Sequence, residues 1–223
     1  MVDPQNTQKG WPWRKVLGKQ RQVWMEPSAD LIPFVSRLKQ DKRQRVYDLG
    51  CGIGRHTVYL AREGFEVWAS DAAPDGLEET RRLLEAEGLR AEVTASDLTS
   101  IQYPDEHFDA VIAVNVVYHA IRKDVETCLS EVHRTLRSGG LFFVTFNSIH
   151  SDDWGHGRQI DENTFVKIGG IEDGIPHYFV DRQELECLMA GFEVLRLSHK
   201  DEWNPEIGKN SRSSHWVVWG KKF

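Results

Sequence analysis

The chain has 223 residues, of which 40% are apolar and 10% aromatic, enough for a full core and too many for wholesale disorder. Its 34 acidic and 28 basic side chains leave a formal net charge of -6, which disfavours long contacts with nucleic-acid phosphates without excluding a local basic patch. Cys51, Cys128 and Cys187 are odd in number, far apart and in no CxxC pair, which argues against a disulfide scaffold or zinc site and fits a reducing compartment.

The opening, MVDPQNTQKGWPWRK, has no apolar h-region, so no signal peptide is expected. A Trp-rich stretch follows (Trp11, Trp13, Trp24), then an amphipathic run in which Leu31, Phe34, Val35 and Leu38 recur at helical steps. From there strands and helices alternate. Arg45 to Leu49 reads as a strand and His56 to Glu63 as a helix stopped by Gly64. Phe65 to Ala69 is a second strand, Asp75 to Glu87 a charged helix, and Ala91 to Ala95 a third strand. Phe108 to Val114 is a more apolar fourth strand, Asp124 to Leu136 a helix ending at Gly139-Gly140, and Leu141 to Phe146 a fifth strand. Such alternation predicts βαβ units, hence a parallel sheet covered on both faces. Residues 148–178 are polar, rich in Gly and His, and weakly patterned. A helix (Arg182 to Ala190), a strand (Phe192 to Leu197), a loop (200–213) and a last strand (His215 to Trp219) close the chain, and the lack of a helix between the two strands predicts an antiparallel pair. No apolar run approaches the roughly 20 residues that span a bilayer. A cytoplasmic protein is the expectation.

The sharpest motif is Asp48-Leu49-Gly50-Cys51-Gly52-Ile53-Gly54, where the first strand meets the first helix. Glycines suit a sharp turn that a ligand's backbone contacts must approach closely. The third glycine of a GxGxxG dinucleotide fingerprint is displaced by one residue, and no GK[ST] follows, so neither that fingerprint nor a P-loop is present.

DLGCGIG resembles the nucleoside-binding turn of the class I S-adenosylmethionine-dependent methyltransferases, and the resemblance extends in order over residues 45–147. It implies an α/β, Rossmann-like, doubly wound and mostly parallel seven-stranded sheet with helices on both faces and an antiparallel terminal strand. It also implies a cofactor, S-adenosyl-L-methionine, held by Asp48, Gly50, Cys51, Gly52, Gly54, Asp71, Ala72, Asp97, Leu98 and Asn115. In that family the acid ending the second strand holds the ribose hydroxyls, a position Asp71 matches, and the acid ending the third reads the adenine amino group, a position Asp97 matches with the Leu98 backbone beside it. Asp48 is similar to the acid near the ligand's amino group, and Asn115 falls beside the methionine end. Read without the family, Asp71 and Asp97 are strand-end carboxylates of the kind that also cap helices, and Cys51 is a small packing residue.

The resemblance implies in-line methyl transfer, which needs positioning above all and a base only where the acceptor loses a proton early. Tyr118 and His119, directly after strand four, are the catalytic candidates, with a wall or packing role as the alternative for His119. The tryptophans Trp11, Trp13, Trp24 and Trp154 suit a cover over an apolar or cationic acceptor, or plain core. His150, Asp152, Asp153 and His156 are the densest ligand-like group, but their spacing fits no metal template, so a solvated lid and no metal are expected. Asn115-Val116-Val117-Tyr118 lacks the prolines of the [DN]PP[FY] motif of base and glutamine methylases. With the acidic charge this points away from nucleic acid, and the tail from His177 to Val194 is similar to the small-molecule subgroup of quinone-biosynthesis and tellurite-resistance-type enzymes. The expectation is one domain: an N-terminal lid and helix (1–40), a cofactor core (41–147), a substrate-covering insert (148–180) and a closing helix and strand pair (181–223). Its partner is a small-molecule acceptor, with no membrane, as monomer or homodimer. A macromolecule methyltransferase using the basic residues of 9–22 and 37–45, and a non-catalytic cofactor binder, stay open as alternatives.

Overall fold

Apolar side chains at helical steps form helix α1 (Leu31–Gln40), which buries Leu31, Phe34, Val35 and Leu38. The computed structural model that places it describes Trp13 and residues 25–170, 172–204 and 211–223. The alternating segment becomes β1 (Arg45–Leu49), α2 (Arg55–Arg62), β2 (Glu66–Asp71), α3 (Pro74–Ala86), β3 (Glu92–Ala95), β4 (Phe108–Ala113), α4 (Arg122–Thr135) and β5 (Leu136–Ser148). The remainder is β6 (Arg158–Asp161), β7 (Thr164–Val166), β8 (Pro176–Val180), α5 (Arg182–Leu188), β9 (Phe192–Asn204) and β10 (Ser211–Lys222).

Strands β3-β2-β1-β4-β5 lie side by side and parallel. β10 pairs antiparallel with the far edge of β5 and β9 antiparallel with β10, which completes the expected seven strands. Three more were not legible: β8 pairs in parallel with β5 at Asn147 and Ser148, and β7 and β6 follow it antiparallel, so the described residues form a ten-stranded sheet. Each of the three is five residues or shorter. Too few residues alternate in each to reveal a strand in the sequence.

β4 is buried along its whole length, as a central parallel strand covered on both faces should be. One face of the sheet (Val46, Ala110, Ile112, Phe143, Val217) packs under α1 and Leu60 of α2. The other (Tyr47, Leu49, Val111, Phe142, Val144) packs under Val125, Cys128, Leu129 and Val132 of α4. Successive residues of a strand serve opposite helices, which fixes the register of each strand. The largest departures from the expected boundaries fall at β5, β9 and β10. Gly139 and Gly140 lie inside β5 rather than ending a helix, at a register shift between Phe108 and Ala110 where a Cβ on Gly140 would lie 2.8 Å from the Arg137 carbonyl oxygen. Part of the expected 200–213 loop is strand, because polar residues on β9 and β10 pair across the ladder, with the Ser214 hydroxyl donating to Asp201 at 2.6 Å.

One buried carboxylate ties β1 to β4. Asp109, 1% exposed, accepts the backbone N–H groups of Gln44 (2.8 Å) and Arg45 (2.9 Å), with the guanidinium groups of Arg43 and Arg137 beside it. Asp109→Ala leaves those donors and cations without their acceptor and is expected to cost about 3 kcal/mol of stability. Chemical denaturation checks this, and a midpoint like that of the parent chain would contradict it.

Candidate active site

The first turn is built by backbone geometry that only glycine adopts easily. Gly50, Gly52 and Gly54 have φ of 71°, 55° and 83°. Cys51 N–H donates to the Ser70 carbonyl at 2.8 Å and Gly54 N–H to the Cys51 carbonyl at 2.9 Å, so the turn is pinned to the end of β2. A Cβ on Gly50 would fall 2.2 Å from Val116, and one on Gly52 would fall 2.3 Å from the Trp13 indole. Trp13 also stands 2.8 Å from where a Gly76 Cβ would be. The one described tryptophan of the N-terminal segment therefore covers the glycine turn; Trp11 and Trp24 lie outside the described residues.

Asp71 ends β2 and turns its carboxylate into this cradle. Oδ2 accepts the Gly52 N–H at 2.8 Å and Oδ1 the Ala73 N–H at 2.7 Å, so the group braces the turn and does not cap α3. Burial raises its carboxyl, and these N–H donors work against the rise. Ala72 beside it is exposed. Asp48 is fully enclosed at the end of β1, where Oδ2 accepts the Thr57 hydroxyl at 2.6 Å. Desolvation pushes its carboxyl up to about 7, against the pull of that hydrogen bond and the nearby Arg55 charge. Cys51 packs with Ala69 and Leu77, and burial raises its thiol well above the usual value, as suits a packing residue rather than a nucleophile.

Asp97 follows β3, whose end is joined to β2 by Ser96 N–H donating to the Asp71 carbonyl at 3.2 Å. Asp97 Oδ1 accepts both the N–H (2.7 Å) and the hydroxyl (2.6 Å) of Thr99, an Asx turn that orients the carboxylate. Leu98 packs against the core. After β4, Asn115 takes a left-handed backbone (φ 55°), its N–H donating to Thr145 Oγ1 at 2.7 Å while that hydroxyl donates to Asn115 Oδ1 at 3.0 Å. This sharp bend lays Val116 over Gly50.

Tyr118 and His119 leave this group and face the insert. The Tyr118 carbonyl accepts the Tyr178 N–H at 2.8 Å, tying the loop to β8, and its hydroxyl lies 3.5 Å from His215 Nε2. Burial raises the Tyr118 phenol and pushes the His119 imidazole well below its usual value, helped by the neighbouring His177. His119 is therefore neutral at pH 7. Glu172 and His177 adjoin it, neither of them singled out as a site residue in the sequence; His119 and the Glu172–His177 pair come together only because β8 lies beside the end of β5. The His150, Asp152, Asp153 and His156 group disperses instead: Asp152 takes the Arg212 N–H, Asp153 pairs with Lys167, His150 packs on His199, and His156 bonds the Asp152 carbonyl. Trp154 is exposed beside Phe165.

A parallel sheet in this order, closed by an antiparallel strand and carrying a glycine turn after β1 and an acid at the end of β2, is the class I, Rossmann-like methyltransferase fold. The family model described as a methyltransferase domain matches residues 46–140. A ubiquinone biosynthesis O-methyltransferase of Methylocella silvestris is 35% identical over 100 residues, 45% of this chain and 38% of that protein. A sterol 24-C-methyltransferase of Aspergillus fumigatus is 32% identical over 162 residues, 68% of this chain and 40% of that protein. The chain thus spans well under two thirds of the length of these curated relatives. Among solved structures, a methyltransferase of Methanosarcina mazei superposes with a TM-score of 0.71 at 20% identity, over 81% of this chain and 93% of that one. No helix among the described residues is long and apolar enough to cross a membrane.

Proposed function

We propose that the protein transfers a methyl group from S-adenosyl-L-methionine to a small-molecule acceptor by in-line displacement. The observation that carries this reading is the Gly50–Gly54 cradle with the Asp71 carboxylate bonded to Gly52 N–H, because its donors and acceptors fit the cofactor. Each Asp71 oxygen accepts one backbone N–H and keeps a lone pair for a vicinal diol. Asp97, oriented by Thr99, offers an acceptor to an amino group, with the Leu98 backbone beside it. Asp48 supplies negative charge for an ammonium, and the bend at Asn115 closes the methionine end. The cofactor supplies a methyl group already activated by its sulfonium. The chain's own task is to hold the acceptor in line and keep water out. Tyr118 and His119 form the acceptor side of the site, under the insert of β6–β8. The relatives' names, which speak of ubiquinone biosynthesis and of a sterol, favour a small apolar acceptor over nucleic acid. Incubation with labelled cofactor and a panel of phenols and sterols tests the reading. Acceptor-dependent release of S-adenosylhomocysteine is the expected result, and turnover only on RNA or protein would contradict it.

The high Asp48 pKa gives this site a pH signature. Free Asp48 holds its proton up to about pH 7, whereas the cofactor's ammonium favours the carboxylate. Binding therefore releases a proton below that pH. S-adenosylhomocysteine affinity is expected to rise as pH increases, by up to tenfold per unit below about 7, and to level off above it. Titrations at about pH 5.5, 6.5 and 7.5 check this, and Asp48→Asn should flatten the profile.

A further inference from the structure

The insert and the loop after β4 place three metal-ligating side chains together outside the glycine cradle. One ligand atom from each of His119, Glu172 and His177 lies within 4.8 Å of the others. His177 Nδ1 is 3.2 Å from the Ile175 carbonyl oxygen. A carbonyl only accepts, so Nδ1 carries the hydrogen and a neutral ring has its lone pair on Nε2. That Nε2 faces Glu172 Oε1 at 3.2 Å. A contact of this length is held either by a proton on Nε2 or by a cation seated between the two atoms. Lys167 does not stand there: it takes the other carboxylate oxygen, Oε2, at 2.6 Å, and Asp153 at 2.7 Å. Apart from the imidazoles, Asp153, Lys167 and Glu172 sum to one negative charge, which suits a bound cation.

The spacing matches that of ligands on a metal ion. Two ligands on one tetrahedral zinc ion, each bonded at about 2.0–2.1 Å, stand about 3.3 Å apart, which is the His177–Glu172 edge. His119 is a third corner, its ring 4.7 Å from that of His177 between centroids. The neighbours act as outer partners of ligands do, the Ile175 carbonyl fixing the His177 tautomer and Lys167 steadying Glu172.

We propose that His119, Glu172 and His177 bind a divalent transition-metal ion of the zinc, cobalt or iron class. Two imidazoles and one carboxylate suit such ions better than magnesium or calcium, which take oxygen ligands. Three protein ligands leave a position open for water or for an acceptor hydroxyl or thiol. That last role rests on the reading of this side as the acceptor side, since His119 lies beyond the carboxyl end of β4, the edge where open α/β sheets bind ligands.

The test is titration of the untagged, chelator-treated full chain with Co²⁺ alone, followed by visible absorption and then by displacement with Zn²⁺. One equivalent with the spectrum of a low-symmetry site is expected. Glu172→Gln and His119→Ala should each weaken it at least about tenfold, while His150→Ala, an exposed histidine on His199, leaves it unchanged. Thermal unfolding shows that each variant is folded. No site spectrum, or one indifferent to Glu172→Gln and His119→Ala, overturns the proposal and leaves the His177–Glu172 contact as a hydrogen bond within the protein. S-adenosylhomocysteine binding by the same sample reports on the cofactor reading separately, so that the two can fail independently.

Discussion

Replacing Gly52 with valine should abolish measurable cofactor binding, a loss of at least about a hundredfold in affinity. Two effects act at one position. Gly52 holds φ at +55°, a region that β-branched side chains avoid, and its Cβ would be driven 2.3 Å from the Trp13 indole. Moving the backbone to relieve either effect breaks the Gly52 N–H bond to Asp71, so the carboxylate is displaced as well. Gly64→Val is the matched control. Gly64 has φ +88° with nothing within 4 Å of its Cβ position, so the variant carries backbone strain without touching the cradle. It should lose stability and keep its affinity. Calorimetry and thermal unfolding of both variants check the pair; unimpaired binding by Gly52→Val would place the ligand elsewhere.

Asp71→Ala is expected to weaken cofactor binding by about 1–3 kcal/mol, or roughly five- to 150-fold. The alanine removes the acceptor for Gly52 N–H and Ala73 N–H along with the group proposed to meet the ribose. These contributions separate in a double-mutant cycle with a cofactor analogue that lacks the 2′-hydroxyl. If Asp71 holds the diol, losing the carboxylate and losing the hydroxyl cost less together than the sum of the two. Strict additivity would leave Asp71 as a brace for the turn alone.

The parts of this molecule that could be read from the sequence are those governed by local rules. Gly64 and the periodic apolar positions of 31–38 mark helices, and the run from Phe108 to Val114 marks a strand buried on both faces. The turn at Gly50–Gly54 is legible because positive φ at closely spaced positions leaves glycine almost no substitute. What escaped depends on pairing between distant segments. β6 to β8 are short, and β8 is held by two residue pairs with β5, so no periodicity announces them. Trp13 reads as one more aromatic until Gly52 and Gly76 are seen beneath it. Glu172 lies in a polar loop, and its partnership with His177 five residues on gives the only local hint of the cluster completed by His119. The His150 to His156 group shows the converse: residues close in sequence are drawn to Arg212, Lys167 and His199 in space. Asp71 falls between the two cases. Its place at the end of β2 is legible, but its bond to Gly52 N–H is a tertiary fact.

The Gly50–Gly54 turn, Asp71 and Asp97 are proposed to form a site for S-adenosylmethionine. Calorimetric titration of the folded protein with S-adenosylmethionine and, separately, with S-adenosylhomocysteine tests it most directly. One site per chain is expected, with both ligands bound at micromolar concentration. Heat of dilution alone from both ligands, in a sample that unfolds cooperatively, would contradict it.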